Sequence, residues 1–153
     1  MTRFCTLTVF LLAALPARAA DICAAVASGS PLVPAPQTSF PADVKPFVIA
    51  ADPTFQGQPM ELYALGKSGA GIAIHYEGTL ATEYLVAFDR VKGALQAVTV
   101  PDLNPEADEY FEAHVAMAAG TPVLFSIREA DGKKITRIAP WLGHAFGSVC
   151  EIK

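Results

Sequence analysis

The stretch VLFSIREADGKKITRI (123–138) decides the fold class. Asp131-Gly132 suits a type I′ turn, in which both central residues need a positive φ. A two-residue loop fixes the register on either side of it. Ala130 faces Lys133, Glu129 faces Lys134, Ile127 faces Thr136 and Phe125 faces Ile138. Opposite charges meet beside the turn and apolar groups meet further in, as cross-strand pairing favours. The stretch predicts an antiparallel hairpin.

The same alternation extends outward from it. Upstream, MELYAL (60–65), IAIHYE (72–77), EYLVAF (83–88), LQAVTV (95–100) and YFEAHVAM (110–117) are apolar runs. GKSGAG, GTLAT, DRVKG, PDLNPEADE and AAGTP separate them. Downstream, KITRIA (134–139) leads through PWLGH (140–144) into AFGSVCEI (145–152). Short runs between glycine-containing turns read as antiparallel strands. Two segments also fit helices. In 79–93, Thr79 could cap and Gly93 terminate a helix with Ala81, Tyr84, Leu85, Phe88 and Val91 on one face. In 104–120, Asn104 could cap, Pro105 could open and Gly120 could end one. The expected fold is mainly β, an antiparallel meander curled into a small sandwich or open barrel. An α+β fold with a helix at about 105–118 is the alternative.

Before this domain (60–153) lies a proline-rich segment. Pro31, Pro34, Pro36, Pro41, Pro46, Pro53 and Pro59 predict an extended strap over 20–59, because proline cannot donate to a ladder. FVIAA (47–51) is the one strand expected inside it. Residues 1–19 read as a signal peptide, with Arg3 ahead of the apolar run FCTLTVFLLAAL (4–15) and Ala17-Arg18-Ala19 as the cleavage pattern. That run is too short to span a bilayer. The expected location is periplasmic or secreted.

Removing 1–19 leaves 9 of the 11 basic residues against 15 acidic ones, a net charge of −6. An acidic chain without a Lys/Arg stripe has no electrostatic reason to bind nucleic acid or an anionic membrane. Removal also takes Cys5, leaving Cys23 and Cys150. An even count in an oxidising compartment predicts a disulfide between them. Asp21 and Ile22 argue against a lipidated Cys23, since a lipoprotein signal wants small residues there.

Motif chemistry is sparse. Gly66-Lys67-Ser68 resembles the end of a P-loop, but Glu61 stands where its first glycine belongs and no helix follows. Ser68 is no nucleophile elbow, because Ala70 replaces the glycine. Asp102, Asn104, Glu106 and Asp108 alternate like an EF-hand loop, without its glycine or closing glutamate. On strands, His75 shares a face with Glu77, and His114 with Glu112. Side by side, such strands could hold zinc or copper for a metal-assisted hydrolase. No paired-histidine spacing supports that, so no metal, catalytic residue or cofactor is assigned. The loop APWLGH (139–144) holds the only tryptophan. Trp141 and His144 are the candidate ligand-binding residues, since loop aromatics anchor partners. The expected function is a non-catalytic binding, inhibitor or accessory module for a protein, glycan or small apolar ligand.

Overall fold

The computed structural model describes residues 19–77, 82–103 and 112–153. The hairpin forms in the expected register, with Ala130 opposite Lys133 and Phe125 opposite Ile138. Asp131 and Gly132 adopt φ of 53° and 69°, the left-handed pair that the turn requires.

In chain order, the described residues form helix α1 (Ala19–Ala27), strand β1 (Val33–Pro34), helix α2 (Val44–Ala51) and a 3₁₀ turn (Pro53–Phe55). Next come β2 (Glu61–Ala64), β3 (Gly71–Glu77), β4 (Thr82–Val91) and β5 (Ala94–Val98). The chain ends with β6 (Ala113–Ala118), β7 (Thr121–Ala130), β8 (Lys133–Pro140) and β9 (Cys150–Ile152). Two antiparallel sheets result, ordered β1-β6-β7-β8-β9 and β2-β3-β4-β5.

Period-2 alternation sorts the side chains into layers. Ile72, Ile74 and Ala87 of the four-stranded sheet meet Val115, Leu124 and Ala139 of the five-stranded sheet, and these form the sandwich core. The opposite face of the larger sheet, with Ala116, Val123, Phe125 and Ile138, is covered by Ile22 and Val26 of α1. The opposite face of the smaller sheet, with Ala73, Val86 and Phe88, is covered by Val44 and Val48 of α2 and by Phe55. Each sheet is thus buried on both faces, in four layers from helix to helix.

The proline-rich segment joins the two sheets along one side. Val33 and Pro34 pair with β6, and the Ala35 amide donates to the Val115 carbonyl at 2.9 Å. Four residues on, Gln37 bridges to Tyr63, and the Thr38 amide donates to the Leu62 carbonyl at 2.7 Å. On the opposite side, among the described residues, no strand pairing joins β5 to β9, and no barrel closes. Cys23 on α1 is bonded to Cys150 at the start of β9, across 127 residues.

Four expectations change. The 20–59 strap is not extended throughout, since it holds α1 from Ala20 onward and α2. FVIAA is the second half of a helix, α2, rather than a strand. Pro46 lies in the first turn of that helix, where its missing N–H would have no intrahelical partner anyway. The 3.6-residue period then brings Val44 and Val48 onto the sheet together. Residues 82–91, which also fit a helix, are a strand. Residues 113–118 of the alternative helix are likewise a strand; residues 104–111 of it, with Asn104, Glu106 and Asp108, lie outside the described residues, as do Thr79 and 1–18 of the leader. In both strands tertiary pairing overrides a helical pattern, because neighbours on either side take up the backbone groups.

Candidate functional site

Between β8 and β9 the chain makes a narrow excursion over one end of the sandwich. Trp141 bridges to Phe146, and the Leu142 amide donates to the Ala145 carbonyl at 2.8 Å, leaving Gly143 and His144 at the tip. Gly143 takes a φ of 105°, open to glycine without a Cβ penalty. The Trp141 amide donates to the Pro122 carbonyl, and the Gly147 amide to the Pro140 carbonyl, which ties both legs of the loop down.

Trp141 and His144 play opposite parts in this loop. The indole is buried in the sandwich core and meets the Phe146 ring edge-on, with centroids 5.2 Å apart. It supports the loop from beneath. His144 is 80% exposed, yet its Nδ1 lies 2.6 Å from Oδ2 of Asp89, whose side chain is only 3% exposed. Asp89 sits on β4, on the same inward-facing register as Leu85 and Ala87. Its other oxygen accepts from the Arg90 amide at 2.8 Å. With a carboxylate oxygen as acceptor, Nδ1 donates, and Nε2 is the second polar atom of this exposed ring. A buried carboxylate of one sheet thereby orients an exposed imidazole from the other.

The surroundings of the tip add apolar contact area. Leu142, next to the tip, is 42% exposed. At the same end of the sandwich, a recess of about 230 Å³ is lined by Ala35, Pro36, Ala64, Met117 and Pro122. Pro122 links the two features, since its carbonyl holds the Trp141 amide.

The other histidines do not converge. His75 is buried, its Nδ1 donates to the Pro59 carbonyl at 3.0 Å, and its ring stacks on Tyr84. It pins the end of the strap to the outer face of the smaller sheet. His114 lies on the outer face of the larger sheet, beside Phe125 and 3.4 Å from Glu112. Both sheets separate the two imidazoles. Among the described residues, no three His, Cys, Asp or Glu side chains gather as a metal site would require. Gly66-Lys67-Ser68 forms the turn between β2 and β3 and leads into a strand.

Asp89 escapes the sequence reading because DRVKG reads as a turn between two strands. The available signal was its parity: an acid at an inward-facing strand position needs a partner. No family model, curated protein or solved structure matches the chain.

Proposed function

We propose that this is an exported, non-catalytic binding module that meets its ligand with the loop between β8 and β9. The observation that carries this reading is the Asp89–His144 pair, which fixes an exposed hydrogen-bonding ring on a loop braced by a buried tryptophan. Preorganisation of that kind lowers the ordering cost of binding. Leu142 supplies apolar contact beside the ring, and the adjoining recess suits a small apolar group of a protein or glycan ligand. Export follows from Arg3, the apolar run 4–15 and the Ala17-Arg18-Ala19 pattern. An intramolecular disulfide is compatible with an oxidising compartment.

The test is a pull-down from the organism's own periplasmic or extracellular extract, comparing the wild type with a Leu142→Asp, His144→Ala double variant. The wild type should retain a partner that the variant releases. Identical captured sets from both proteins would reject the loop as the binding face.

A further inference from the structure

Where the strap crosses from one sheet to the other, the recess of about 230 Å³ has apolar walls, Ala35, Pro36, Ala64, Met117 and Pro122. Thr38 also lines it, and donates its hydroxyl to the Pro36 carbonyl at 3.4 Å. An apolar cavity of about 150 Å³ takes benzene, so this recess suits one leucine or phenylalanine side chain.

The rim is of a different kind. Gly66 lines the recess and opens the exposed turn GKSG (66–69) between β2 and β3. The Leu65 amide donates to the Ala70 carbonyl at 2.9 Å and closes the base of that turn. Among the described residues, the amides of 66–69, the Ser68 hydroxyl and the Lys67 ammonium meet no acceptor. Gly66 and Gly69, with φ of 110° and 83°, carry no side chain to shield those amides. Arg90 lies against Gly69, but its guanidinium is committed to Asp43 and to the Gly93 carbonyl. One ammonium on a flexible stem, with neutral donors around it, balances a single negative charge. That donor set matches a carboxylate better than a phosphate dianion.

An apolar socket beside unpaired amides and a cation suits the end of a polypeptide, whose carboxylate and last side chain leave the same Cα. The residues before that end have somewhere to go. Pro122 belongs to the recess, and its carbonyl holds the Trp141 amide, so the chain continues onto the loop with the exposed Leu142. A short free acid would use the socket and rim but not the loop.

We propose that the recess takes the C-terminal residue of a partner polypeptide, its apolar side chain in the socket and its α-carboxylate on turn 66–69 with Lys67. This rests on the binding reading above and names the chemistry of the ligand.

Amide NMR titrations of the folded protein, disulfide intact, test it with three probes. N-acetylated Gly-Ser-Ala-Leu with a free carboxylate should shift the amides of 66–69 and 117–121 and saturate. Its C-terminal amide should bind about tenfold more weakly or worse, because a hydrogen-bonded charge is gone. Hexanoate should bind more weakly than the tetrapeptide acid. Lys67→Gln, in an exposed turn, should raise the Kd of the tetrapeptide acid about threefold to fivefold and leave that of the amide unchanged. Circular dichroism melts confirm that the variant is folded. No shifts at these amides, equal affinity for acid and amide, a Lys67→Gln variant that binds the acid like the wild type, or hexanoate as tight as the tetrapeptide would each overturn the proposal. A partner that depends on Leu142 and His144 in the pull-down, with no tetrapeptide binding, rejects this proposal and leaves the loop reading standing. Saturable tetrapeptide binding with identical captured sets supports the recess and rejects the loop alone.

Discussion

Asp89 shows how much one side chain can set. A carboxylate with 3% of its surface exposed needs hydrogen bonds, and the structure supplies the Arg90 amide and the His144 ring. His144→Ala removes one of those partners and should destabilise the fold by about 1–3 kcal/mol. Asp89→Ala should instead free the loop. Amide exchange at 142–146 should quicken while that of β7 and β8 stays slow, and unchanged loop protection would show that the pair does not hold it. Gly71 is a second single-residue constraint. A Cβ there would sit 2.6 Å from the Cζ atoms of both Phe40 and Phe88. Gly71→Ala therefore has to displace two packed rings, at a cost of about 1–3 kcal/mol by chemical denaturation.

At the scale of elements, β9 shows how a three-residue strand holds its place at a sheet edge. Arg137 on β8 is 7% exposed; its guanidinium donates to Glu151 at 3.0–3.1 Å and to the Leu103 carbonyl at 3.3 Å. The ammonium of Lys153, and then Arg137, hold the Glu151 carboxyl below its ordinary 4.5. A carboxyl with a lower pKa folded than unfolded contributes stability above the unfolded value and loses it as pH falls through the folded one. Glu151→Gln should accordingly lower the Tm at neutral pH. That deficit should shrink as the pH drops below 4.5. A deficit that stays constant through acid would exclude ion pairing as the cause. α2 teaches a related lesson, since its valines read as strand formers and lie in a helix because a sheet face needed covering.

Across the whole molecule, the disulfide reaches furthest. It joins α1, which covers the larger sheet, to the last strand of that sheet, closing a loop of 127 residues. Cys23→Ser or Cys150→Ser should cost about 2–5 kcal/mol, and the double replacement about the same as either alone, because both remove one bond. Two single variants whose losses add in the double variant would point to separate packing roles for the cysteines. Mass spectrometry of the exported protein should find it beginning at Ala20, and an intact Met1 would reject the leader.

The mainly β class, the 123–138 register and the Cys23–Cys150 pair were all legible in the sequence, because each rests on local chemistry or parity. Asp131-Gly132 has one favoured turn, period-2 alternation has two faces, and with Cys5 assigned to the expected leader the other two cysteines allow one bond. The tertiary structure alone decided the rest. It placed His75 and His114 on opposite outsides of the sandwich, put Trp141 inside it, and brought His144 to Asp89 across 55 residues of chain. It also made 47–51 helical and 113–118 extended. Those outcomes depend on which surfaces meet, and contacts between sheets are set by burying apolar faces on both sides at once. A short apolar run carries no record of which neighbour will cover it.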